Sequence, residues 1–132
     1  MKYRCPHCKA VLNPGTKVIL RITRARRNGL ILLSPKVGNY TVILPEDIPL
    51  KEGEKPRLAC PVCHGDLTSP ANRQFNELLR ERPGGGFDRV EFHKAYGEHA
   101  TFVISQDEVR AFGKDAPEYE HVNFFGAGYT GD

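Results

Sequence analysis

Four cysteines stand in two matched frames, Cys5-Pro6-His7-Cys8 and Cys60-Pro61-Val62-Cys63, and no others occur in the 132-residue chain. A Cys-x-x-Cys turn lets one short loop supply two adjacent corners of a tetrahedron, and two such turns complete a four-thiolate shell around one Zn²⁺. Proline after the first cysteine fixes φ for the turn and removes one N–H, leaving the following amides free to point at sulfur. Each frame is followed by a leucine, Leu12 or Leu67, and then a proline, so CPHCKAVLNP and CPVCHGDLTSP read as an internal duplication. The leucines are expected to pack beneath the turns.

The frames resemble the knuckles of the zinc-ribbon family over about residues 1–70. That resemblance implies a small antiparallel sheet pinned by one structural zinc on Cys5, Cys8, Cys60 and Cys63. The chain departs from the family pattern in its spacing: 51 residues separate Cys8 from Cys60, against the usual ~15 to 20. The insertion, residues 13–56, is therefore expected to fold as a β-unit of its own. A rubredoxin-like iron site and a reducible disulfide pair are the competing readings of the cysteines. Against iron, Lys9 and His64 stand where glycine follows the second cysteine in that family. His7 and His64 are expected beside the site, not in it.

The elements that would position the frames follow from periodicity. Val18, Leu20 and Ile22 alternate with polar residues over 17–23, which predicts a half-buried strand. Asn28-Gly29 predicts a hairpin turn, residues 30–33 a second strand, and residues 40–44 a third, giving an inserted three-stranded antiparallel meander. Residues 45–56 read as a polar loop delivering Arg57, Leu58 and Ala59 to the second frame. Phe75, Leu78 and Leu79 fall at i, i+3, i+4, which predicts a short amphipathic helix within 71–83. Pro83-Gly84-Gly85-Gly86 reads as a subdomain boundary. Residues 84–132 form a second small antiparallel β-unit: a strand through Val90 and Phe92, a turn at Tyr96-Gly97, a strand over 100–104, and a further turn into residues 109–112. The fold class is mainly β with one short helix.

Composition bounds the function. Apolar content of 39% is ordinary for a globular chain, and no run approaches the ~18 apolar residues that span a bilayer. With the first cysteine at position 5 and paired thiols, a cytoplasmic, reducing location is expected. Residues 1–59 hold twelve Lys/Arg against four Asp/Glu, a balance of +8; residues 60–132 hold seven against twelve, a balance of −5. Arg21, Arg24, Arg26, Arg27 and Lys36 are candidates for nucleic-acid phosphate contact. Phe124, Phe125 and Tyr129, in a Gly/aromatic tail, are candidates for docking on a protein partner, with a core-completing terminal strand as the other reading. His93, His99 and His121 accompany Asp88, Glu91 and Glu98 without any nucleophile or phosphate-loop motif, and read as exposed strand histidines. Because four thiolates leave no open position for water, a catalytic zinc is disfavoured. An interaction adaptor is preferred over a nucleic-acid-associated zinc ribbon, since the chain past Pro70 is not basic.

Overall fold

The computed structural model describes residues 1–125. Nine short strands form two antiparallel sheets: β1 (Tyr3–Arg4), β2 (Val18–Arg24), β3 (Arg27–Leu33), β4 (Val42–Ile43), β5 (Arg57–Ala59), β6 (Phe75–Glu81), β7 (Phe87–His93), β8 (Thr101–Ile104) and β9 (Val109–Phe112). The one helical element among these residues is a 3-10 turn, Ala116–Tyr119. One sheet has the order β4-β3-β2-β5 and the other β1-β6-β7-β8-β9.

The inserted meander is present as β2, β3 and β4. Its first turn is not Asn28-Gly29 but Ala25-Arg26, both at positive φ (49° and 70°), with Arg24 facing Arg27 across it. Two consecutive left-handed residues match the twist of the flanking strands. Gly29 serves a different purpose: a Cβ there would lie 2.7 Å from Cγ of Pro45, so glycine lets the proline ring close over β3.

The helix expected within 71–83 is the strand β6. Phe75, Asn76, Glu77 and Leu78 are buried in succession, because β6 lies between β1 and β7 with a covered sheet face on either side. Burial on both faces erases the alternation that would have marked a strand, and leaves a spacing that mimics a helix. The stretch 83–86 is the turn of the β6–β7 hairpin, with Gly85 and Gly86 at positive φ.

Inner faces of the two sheets meet in one core of Leu20, Ile22, Ile31, Leu58, Leu78, Val90 and Val103, with Leu12 and Leu67 beneath the knuckles. A second, smaller core covers the outer face of the five-stranded sheet. There Phe75, Phe102 and Ile104 are sealed by residues 116–125 through Ala116, Tyr119, Val122 and Phe124.

The duplication extends far beyond the knuckles. The order β4-β3-β2-β5 is matched by β8-β7-β6-β1, so the strand preceding each knuckle is lent to the sheet of the other half. Hydrogen bonds repeat pair by pair: Leu12 donates to Tyr3 O as Leu67 does to Leu58 O, and Ile19 donates to Leu12 O as Glu77 does to Leu67 O. Registers repeat as well, Leu20 facing Ile31 as Leu78 faces Val90, and Leu33 facing Val42 as Phe92 faces Thr101. The turns after β3 and β7 place Gly38 and Gly97 at φ 92° and 87°. Corresponding residues Tyr40 and His99 stack ring on ring across the pseudo-two-fold axis, 4.2 Å apart and 1° from parallel.

Candidate metal centre

Strands β1 and β5 end at the two knuckles, and their exchange between sheets brings the knuckles face to face. The four Sγ atoms all lie within 4.8 Å of one another. Cys5 and Cys63 are 3.8 Å apart and Cys8 and Cys60 are 3.7 Å apart, and each of these contacts is the symmetry counterpart of the other. A tetrahedral ion at about 2.3 Å from each sulfur would space them by about 3.8 Å. The donor set therefore fits a tetrahedral metal ion.

The local chain is shaped for that purpose. Amides of His7 and Cys8 point at Cys5 Sγ (3.3 and 3.5 Å), and those of Val62 and Cys63 point at Cys60 Sγ (3.3 and 3.4 Å). Such N–H···S contacts disperse thiolate charge. Each knuckle closes when the residue after its second cysteine donates to the first: Lys9 to Cys5 O and His64 to Cys60 O. Both closing residues adopt positive φ, 65° and 62°, so a lysine and a histidine occupy backbone positions that favour glycine. His7 stands outside the four-cysteine cluster; its Nε2 lies 2.7 Å from Asp66 O and ties one knuckle to the other. Gly65 makes room for that ring, since a Cβ would come 2.7 Å from His7 Cδ2.

Cys5 and Cys60 are buried, while Cys8 and Cys63 are exposed. Burial pushes the Cys5 thiol up to about 12 and raises Cys60, whereas the backbone amide of Ala10 helps bring Cys8 down to about 7. A bound cation stabilises the thiolates and displaces their protons.

The basic candidates are dispersed. Arg26 sits in the β2–β3 turn with Arg24 and Arg27 beside it, Arg21 is in mid-strand, and Lys36 lies past the other end of β3. Arg24 is held by Glu54 through Nε and Nη2 (2.5 and 3.2 Å), and Arg27 approaches Asp47 at 3.8 Å. Arg21, Arg26 and Lys36 have no carboxylate partner among the described residues. Of the aromatic candidates, Phe124 is buried against Phe75 and Phe102, and Phe125 packs at the edge of the same core. Tyr129 lies outside the described residues.

The histidines do not gather. His93, expected to be exposed, is buried against Phe75 and Tyr119, where desolvation lowers its pKa and Nδ1 accepts from the Ala95 amide. His99 instead stacks on Tyr40. Among the described residues the cysteines form the one cluster suited to a metal. Between the two sheets lies a cavity of about 520 Å³, walled by Ile31, Leu33, Leu78 and Phe92 and flanked by Tyr40 and His99.

One charged group escaped sequence reasoning. On the outer face of the five-stranded sheet Glu77 faces Glu91 directly across β6 and β7, and Arg89 reaches both, at 3.2 and 3.6 Å. Arg89 also donates to Phe124 O, fastening the C-terminal segment. Burial, reinforced by Glu77, pushes the Glu91 carboxyl up to about 8. The unfolded chain ionises near its ordinary value of about 4.3, so between these values unfolding releases a proton that the native state keeps, and stability falls as pH rises toward 8. Glu91→Gln is expected to remove a few kcal/mol of that loss, at about 1.4 kcal/mol per pH unit. Urea midpoints at pH 5 and pH 8.5 should converge in the variant relative to the wild type; identical slopes would refute the assignment.

Comparison with protein-family models, with curated proteins and with solved structures finds no match to this chain.

Proposed function

We propose that this chain is a structural zinc module that acts as a protein–protein interaction adaptor, working in a reducing compartment such as the cytoplasm. The reading is carried by four thiols at tetrahedral spacing where the two halves meet. A shell of four sulfurs suits zinc or iron; zinc is preferred because it holds this geometry without redox chemistry. Bound there, zinc would supply cohesion and no catalytic water, since all four positions are taken by cysteine. No helix among the described residues is long and apolar enough to cross a membrane.

Nucleic-acid binding is the second reading, favoured by Arg26 at the hairpin turn, which has no carboxylate partner among the described residues, and by the +8 balance of residues 1–59. Two measurements test the proposal together. Elemental analysis of freshly purified protein should return one zinc per chain with no visible absorption, where iron would give colour. Gel shifts with mixed DNA and RNA at low salt should be absent. A steeply salt-sensitive shift abolished by the Arg24, Arg26, Arg27 triple alanine variant would replace the adaptor with the nucleic-acid reading.

A further inference from the structure

The two halves share a framework yet differ on their outer faces. In the five-stranded sheet that face is sealed by residues 116–125, which leave Phe75, Phe102 and Ile104 buried. In the four-stranded sheet the corresponding face carries Ile19, Leu30, Leu32 and Ile43, and none of these belongs to either core. Leu30 is 54% and Ile43 51% exposed. The strand registers make the comparison residue by residue. Ile43 stands where Phe102 stands, and Leu30, Leu32 and Ile19 stand where the second half has Arg89, Glu91 and Glu77.

One sheet thus keeps its cover within the chain, while the other presents four adjacent aliphatic side chains that no segment among the described residues covers. Its surroundings indicate the chemistry of a missing cover. Arg21 lies on the same face, opposite Leu30, and Lys17 stands two residues before Ile19 at the entry to β2; neither has a carboxylate partner among the described residues. The segment that covers the other sheet runs Lys114-Asp115-Ala116-Pro117-Glu118-Tyr119-Glu120-His121-Val122-Asn123-Phe124-Phe125, acidic along its length and aromatic at its end. It is held by ring packing and by one arginine of the sheet bonding to its backbone.

We propose that the outer face of the four-stranded sheet is a docking surface for an acidic, aromatic segment of a partner protein, lying across the strands as residues 116–125 lie across the opposite half but held by different contacts. Lys17 and Leu30 stand where Phe75 and Arg89 hold that segment. The proposal rests on the adaptor reading and names its surface. Aliphatic side chains supply the apolar contact, and Arg21 and Lys17 select for negative charge and reject basic sequences.

The test uses the full, metal-loaded protein with methyl-labelled Ile and Leu, titrated with a synthetic peptide of residues 113–125. Chemical-shift changes are expected at Ile19, Leu30, Leu32 and Ile43, saturating at or below about 1 mM. Leu30→Glu and Arg21→Glu should each weaken the binding about tenfold or more while leaving the melting temperature unchanged. A peptide carrying Asp115→Lys, Glu118→Lys and Glu120→Lys should fail to bind. The proposal is overturned by the absence of these shifts, by shifts centred on Ile104, which would mean displacement of the native segment, or by concentration-dependent dimerisation through Leu30 that excludes the peptide. A protein that retains its ion and fold but shows no shift refutes this surface alone. Loss of the ion on purification would refute the reading beneath it.

Discussion

Stripping a bound metal with a chelator, or replacing Cys5 or Cys60 by serine, is expected to abolish the cooperative folding transition of the whole chain, and not of its first half alone. A local metal clip would loosen only the turns it touches. Here β1 belongs to the five-stranded sheet and β5 to the four-stranded one, so separation of the knuckles draws a strand from each. The shared inner core, with Leu12 and Leu67 directly behind the cysteines, opens with them. Structural zinc contributes an apparent ~10 to 16 kcal/mol, comparable to or larger than the ~5 to 15 kcal/mol by which domains of this size are stable. Far-ultraviolet circular dichroism and amide dispersion, recorded before and after chelation and after readdition of zinc, check this. Survival of dispersed signals from β6, β7 and β8 in the metal-free protein would show that the second half stands by itself. Serine at the exposed Cys8 or Cys63 should cost less than at the buried pair, because water can compensate the lost ligand there.

Phe75→Ala is expected to cost about 3 to 5 kcal/mol, the range for deleting a fully buried aromatic ring. Its ring meets four others, those of His93, Phe102, Tyr119 and Phe124, each edge to face at 5.2 to 5.8 Å. Two of these, Tyr119 and Phe124, belong to the covering segment. The substitution therefore removes the contact that holds residues 116–125 on the sheet, and hydrogen-exchange protection there should fall most. The cysteine site, at the other core, should keep its metal. Phe75→Leu, which retains most of the volume, should cost about 1.5 kcal/mol or less. Equal loss of protection in the knuckles and in residues 116–125 would contradict the division into two cores.

How far the fold was legible depended on whether a residue's purpose was local. The cysteine frames were readable because a knuckle is specified within a few residues and its chemistry admits few donors. β2 and β7 were readable because inward apolar positions alternate with polar ones, whereas β3 and β8 were readable as short apolar runs set off by turn residues, β8 being buried along its whole length. The hairpin turn was misplaced because Gly29 answers a distant crowding by Pro45, which no short window contains. β6 was misread because its neighbours bury both faces, so Phe75, Leu78 and Leu79 fell at helical spacing by accident. Glu77 and Arg89 gave no signal, and Glu91 was grouped only with histidines read as exposed: charged residues at alternate strand positions ordinarily face water, and here the covering segment lies over them, burying both carboxylates. The repeat itself was visible in the knuckles alone. Beyond them only inward positions kept their character, as in Leu20 with Leu78, Ile31 with Val90 and Leu33 with Phe92, while outward ones diverged to Ile19 with Glu77 and Leu30 with Arg89.

The reciprocal loan of β1 and β5 has a consequence for assembly. Two unlinked half-chains could satisfy the same bonds only by meeting in solution, and their pairing would weaken on dilution. Joined through residues 44–56, each half encounters the other at an effective concentration on the order of millimolar, whatever the amount of protein present. Covalent linkage also releases the halves from sharing one surface, which is why one can carry +8 and the other −5 around a common cluster of four cysteines without abandoning its geometry.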